Sequence, residues 1–257
     1  MIGSLDELAR LVPYIVLISV RVGIAFASLP PPIGSVAPAQ VRAVLGVFVA
    51  AVIAIPHTAE AQAIVLDPFW LGGAAVGEAL VGAAIGLTAR LCIAATEAAG
   101  EVISGSIGLG FAQAMDPTSG QETSVVAHAL IQLAVLAFFV LGGHHAVIAG
   151  LARSLDSAPP GAAWNGAIAV SALEMARDLV GAGLRIASPV MGTMLIVQMG
   201  VALASRAAPR LQVFSISFAV AASVGLLTLF VAIPATTEAI AASVREIPTH
   251  IAQILAL

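Results

Sequence analysis

Apolar positions along this chain come in long runs rather than in alternation. The runs are Leu11 to Leu29, Val41 to Pro56, Leu71 to Gly100, Val125 to Leu151, Leu179 to Ala204 and Leu211 to Ile233. Each approaches the roughly 20 residues that an α-helix needs to cross a bilayer core. The breaks carry turn chemistry: "PPPIGSVAP" from Pro30, "HTAEAQAIVLDP" from His57, "DSAPPGAAWNG" from Asp156 and "RAAPR" from Arg206. None is long enough to separate a soluble domain. In the tail from Thr236 to Leu257, Ile240, Val244, Ile247, Ile251 and Ile254 recur at helical intervals. That stripe predicts an amphipathic helix, interrupted near Pro248 and resting on a partner or on the membrane interface. The expected fold is an all-α membrane protein. It has about six long apolar helices, some broken or kinked, and the C-terminal amphipathic helix, in one domain across residues 1–257.

Composition sharpens this class. Hydrophobic residues make up 60% of the chain and charged residues 9%, against about 45–50% and about 25% in ordinary soluble domains, so a soluble body of this length would lack a polar surface. The first run follows Asp6, Glu7 and Arg10 and has no small-residue cleavage pattern leading into a soluble body, so it is expected to be retained. The basic residues are all arginines, scattered singly, which gives no patch for nucleic acid or an anionic surface. Positive charges near the run ends fall evenly on the two sides and set no orientation.

Several charges nevertheless sit inside or beside the runs. Arg21, Glu78, Arg90, Glu97, Glu101 and Arg185 are candidate buried charges, because a charge at mid-bilayer costs about 2.5–3.5 kcal/mol and seeks protein or water. Arg90 and Arg185 have snorkelling toward a helix end as an alternative. Small residues recur every fourth position at Gly100, Ser104, Gly108 and Ala112, and again at Gly142, Ala146 and Gly150. On a helix they form ridges that let another backbone approach closely. Arg206 and Arg210 flank Pro209, where guanidinium groups can meet helix-end carbonyls or a partner's carboxylate.

Nothing in the chain reads as catalytic, and no cofactor or metal is implied. His144 and His145 are adjacent, so on a helix they diverge by about 100° and do not form a metal pair alone. Cys92 lies in an apolar run and reads as packing. "VISG", Val102 to Gly105, lacks the leading glycine of the Gly-x-Ser-Gly nucleophile of rhomboid-type proteases. Glu97 and Glu101, at i and i+4, read as a helix end meeting water or a neighbouring subunit's arginine, with a proton or cation relay as the alternative.

The stretch "GLGFAQAMDPTSGQETS", Gly108 to Ser124, stands apart. Asp116-Pro117 disfavours a helix, and Ser119 to Glu122 fits a capping box that starts a new one near Gly120. The connector body, Phe111 to Met115, carries no charge, unlike an exposed loop. Non-helical backbone of this kind must be sheltered by protein or line a cavity.

"AGEVISGSIGLGFAQAMDP" with "VVAHALIQLAVLAFFVLGGHHAVIAGLARSLDSAPPG", preceded by "RVGIAFASLPPPIGSVAPAQVRAVLG" and followed by "ASRAAPRLQVFSISFAVAASVGL", resembles the flagellar biosynthesis protein FliR family in order and spacing over most of the chain. Ser217-Phe218-Ala219 departs from that family's Gly-Phe-Pro. The resemblance implies a non-enzymatic subunit of the flagellar type III export gate in the bacterial inner membrane, at the flagellar basal body. It implies assembly with FliP-like and FliQ-like subunits and an FlhB-like protein, contact with membrane lipid, and transient contact with unfolded export substrates. It further implies that the connector, with Gly108, Gly110, Phe111, Met115, Asp116 and Pro117, plugs the closed channel. The counterpart subunit of a virulence injectisome shares this outline. Two other classes fit broken helices and buried charges: a secondary transporter acting alone or as a homo-oligomer, and a purely structural membrane scaffold.

Overall fold

A computed structural model describes residues 5–30, 38–109, 123–161, 167–207 and 213–255. Their regular structure is helical: α1 Leu5–Ser28, α2 Ala39–Ala54, a 3-10 segment Ile55–Ala63, α3 Pro68–Ile107, α4 Val125–Val140, α5 Gly143–Ser157, α6 Ala167–Ala207 and α7 Val213–Leu255. Among the described residues five helices are long and apolar enough to cross a membrane, or six spans when α4 and α5 are counted as one broken span. The fold is that of an all-α membrane protein.

The residues group into two compact units. The first comprises Met1–Leu91, Gly142–Ala176 and Arg245–Leu257, and the second Cys92–Leu141 and Arg177–Val244. In the first, Tyr14, Leu17, Ile18, Val22, Ala25 and Phe26 bury one face of α1, the i, i+3, i+4, i+7 spacing of a helix packed on one side. Gly82 and Gly86 of α3 let that face come close. A Cβ at Gly82 would overlap the Arg21 carbonyl, and one at Gly86 would stand 2.6 Å from the Ala25 carbonyl oxygen. In the second unit, Ile93, Ile103 and Ile107 of α3, Val126 and Leu130 of α4, Ile186, Val190 and Met194 of α6, and Ile240 of α7 form the core.

Three features depart from the sequence expectations. The run Val125 to Leu151 is split, because Gly142 adopts φ +74° and the helix restarts at Gly143; a Gly-Gly pair admits this conformation without steric cost. The tail is not interrupted near Pro248: α7 continues through Pro234 and Pro248. A proline inside a helix costs about 3 kcal/mol, whereas Ile247, Ile251 and Ile254 are each at most 3% exposed and burial of such side chains contributes about 1.5–3 kcal/mol apiece. The stripe therefore packs against its own chain rather than on a partner. Ile251 lies against Gly150, and Ile254 joins Ala84 and Met175. Large apolar side chains remain exposed on α2 in the first unit, among them Val44 and Phe48, and on α7 in the second, among them Leu227, Phe230 and Val231; each set is suited to lipid or to other helices.

Candidate functional site

The described ends of the central connector are both built on the last turns of α3. Helix α3 stops at Ile107 because Gly108 turns to φ +91°. The Leu109 amide then donates to the Ser104 carbonyl at 3.0 Å and the Gly108 amide to the Gly105 carbonyl at 3.1 Å. This pair of bonds is a Schellman closure, and it satisfies carbonyls that a helix end otherwise leaves bare. A third, the Ser106 carbonyl, accepts from Gln198 Nε2 of α6 at 3.3 Å. Leu109 packs on the core of the second unit, and a Cβ at Gly108 would meet the Phe218 ring at 3.5 Å.

The chain returns at Thr123. Ser124 takes an extended conformation, and its Oγ accepts from the Ala127 amide at 3.1 Å, the geometry of an N-cap. Its own amide donates to Glu101 Oε1 at 2.8 Å. Two amides at the start of α4 are thus satisfied, one from within and one by a carboxylate on α3. That carboxylate also faces the positive end of the α4 dipole. One residue earlier on α3, Gly100 brings the backbones together; a Cβ there would overlap Ala127 Cα. Helix α4 accordingly begins at Val125 with Ser124 as cap, while the Ser119–Glu122 box lies outside the described residues, as do Gly110, Phe111, Ala112, Met115, Asp116, Pro117 and Gly120. Ser104 is 1% exposed and its Oγ has no hydrogen-bond partner among the described residues.

The expected buried charges divide sharply. In the first unit Arg21 and Glu78 are 1% and 3% exposed and form an ion pair, Nε to Oε2, at 2.6 Å. The guanidinium also donates to the Ser154 carbonyl at 3.0 Å, Ser154 Oγ at 2.8 Å and the Ala158 carbonyl at 2.7 Å. Glu78 Oε1 accepts from the Gly161 amide at 3.1 Å. The pair therefore ties α1 and α3 to the carbonyl end of α5 and the turn beyond it. Arg90, Glu101 and Arg185 instead lie on the exposed surface of the chain and Glu97 is half-buried, so the chain by itself does not bury these four. Arg206 is exposed in the last turn of α6, and Arg210 lies outside the described residues. Ser124, Ser154, Gly161 and Trp70, which packs on Gly161, were not among the sequence candidates. The signal for Gly161 is the "PPG" turn after α5; Ser154 and Ser124 carry none until their helices are fixed.

The sequence pattern of the family described as bacterial export proteins, family 1, matches residues 12–247. The chain belongs to that family. Relatives within it include the flagellar biosynthetic protein FliR of Pectobacterium carotovorum, 35% identical over 62% of this chain and 61% of its own length, so the match spans less than two thirds of that protein. The FliR of Escherichia coli K12 is 32% identical over 72% and 71%, and that of Caulobacter vibrioides 28% identical over 82% and 84%. For a bacterial export protein, the arrangement at the end of α3 has a clear physical capacity: it holds two fixed chain ends on the last turns of one helix.

Proposed function

We propose that this chain is a subunit of the flagellar type III protein export gate in the bacterial inner membrane, at the flagellar basal body. The observation that carries the reading is the family match over residues 12–247, with relatives named flagellar biosynthetic protein FliR. FliP-like and FliQ-like subunits surround it, an FlhB-like protein adjoins it, and unfolded flagellar proteins pass through the assembly. The connector between Leu109 and Thr123 closes that passage at rest. A channel wide enough for an unfolded chain would also conduct ions, so it needs a constriction that excludes water. Phe111 and Met115 supply the apolar closure, and a methionine can reshape around a passing chain.

The test is mild solubilisation and purification of the tagged chain from its own cells. Recovery in a fixed ratio with FliP-like and FliQ-like subunits, with loss of motility when the chain is deleted, supports the reading. A chain that purifies alone or as a homo-oligomer, and moves a small solute in vesicles, is a secondary transporter and overturns it.

A further inference from the structure

We infer that Glu101 is a positioning residue for the gate: its carboxylate clamps the Ser124 amide, and that clamp fixes where the connector rejoins α4. The inference rests on the gate reading above and adds to it a residue that acts at one end of the connector without belonging to it. Glu101 Oε1 is 2.8 Å from the Ser124 nitrogen. The contact joins residues 23 apart in sequence, and it acts on the residue whose own side chain caps α4 through Ala127. Glu101 stands next to Gly100, where α3 and α4 are in backbone contact at Ala127. It also lies within two turns of Gly108, where the other end of the connector is set by the Schellman bonds.

Both ends of the connector are therefore referred to the same short piece of α3. Their separation is fixed by helix geometry rather than by the connector itself. A helix end has four amides without internal partners, and a loop that must come to rest in one position benefits when those nearest to it are held. Glu101 differs from an ordinary surface glutamate in that its acceptor oxygen reaches across to another helix. The contact requires the reach of the side chain and a carbonyl-type oxygen; it does not require the charge. That separates it from a relay or an intersubunit ion pair, either of which requires an ionised carboxylate.

The experiment uses the complex purified with its partner subunits, carrying Glu101→Gln, Glu101→Asp or Glu101→Ala, with the Phe111–Met115 deletion in the same series. Resting ion conductance is read by an ion-sensitive dye in vesicles, and amide exchange is read at Ser124–Ala127. The expected result is a tight complex for Glu101→Gln, which keeps length and acceptor. Glu101→Asp, one methylene short, and Glu101→Ala are expected to leak, with exchange at Ser124–Ala127 accelerated at least tenfold. A leaky Glu101→Gln with a tight Glu101→Asp assigns the role to charge and overturns the inference. So does an Asp or Ala complex that stays tight, or one that no longer assembles while Gln does not restore it. The deletion reads the gate itself: if it too stays tight, the gate reading has failed, whereas a leaky deletion beside a tight Glu101→Ala sinks only the clamp.

Discussion

Arg21 and Glu78 meet at 2.6 Å on neighbouring helices, and both are almost wholly buried. The guanidinium donates three further hydrogen bonds, two to Ser154 and one to Ala158, and the second carboxylate oxygen accepts from the Gly161 amide. Removing one partner leaves a buried charge uncompensated, which costs about 3–5 kcal/mol. Glu78→Leu is therefore expected to lower the thermal midpoint of the purified complex strongly, or to prevent recovery of the chain. Exchanging both residues for methionine avoids the stranded charge, so the double variant should be more stable than either single change. A double variant no better than the worse single one would mean that the remaining contacts to Ser154, Ala158 and Gly161 dominate.

Gly161 is tested at the same junction. It sits at φ +83°, and a Cβ there would stand 2.5 Å from two atoms of the Trp70 ring. Gly161→Ala must bear the left-handed backbone cost of about 1–2 kcal/mol and also displace the indole. Trp70→Ala in the same chain removes the second cost only. The combined variant is thus expected to regain part of the stability lost by Gly161→Ala, a coupling measurable by a double-mutant cycle in denaturant or heat. Strictly additive losses would show that the indole moves aside freely.

How much of this was legible in the sequence depends on the range of the interaction. The long apolar runs announced the helices because each is set by its own composition. The stripe from Ile240 to Ile254 was legible as periodicity, but proline's local penalty points to a break at Pro248 that burial on both sides outweighs. The break at Gly142 lay hidden inside an apolar run, since a glycine pair is equally at home in a membrane helix. Arg21 and Glu78 were legible as charges that must be sheltered, but not as partners, because 57 residues separate them. Glu101 looked anomalous beside Glu97, and only the return of the chain at Ser124 gives it an acceptor's role. The close approach at Gly82 and Gly86 had a readable i, i+4 signature, overshadowed by the more regular series from Gly100.

That series carries the next prediction. A Cβ at Gly100 would overlap Ala127, and Ser104 is buried one turn further along α3. Overpacking a close helix contact costs on the order of 1–3 kcal/mol. Gly100→Ala and Ser104→Leu should each reduce recovery of the assembled complex more than they reduce the amount of chain in the membrane. Recovery at the level of the unchanged protein would remove close α3 packing from the requirements for assembly.

The connector itself is tested by deleting Phe111–Met115. The Schellman turn at Gly108 and Leu109, the cap at Ser124 and the Glu101 contact all lie outside the deletion, so α3 and α4 keep the bonds that define their ends. On the proposed reading the deletion removes the apolar closure of the passage, and a passage deprived of its dewetting element conducts. Cells making the deleted chain with its partner subunits are expected to leak ions and grow slowly, whereas cells making it alone should not, since one chain of this length does not enclose a channel. A connector that merely packs predicts the opposite pair of results: the complex is lost on purification and no leak appears. Measuring complex recovery and conductance in one strain separates the two, and an intact deleted complex that remains tight to ions rules out Phe111–Met115 as the closure.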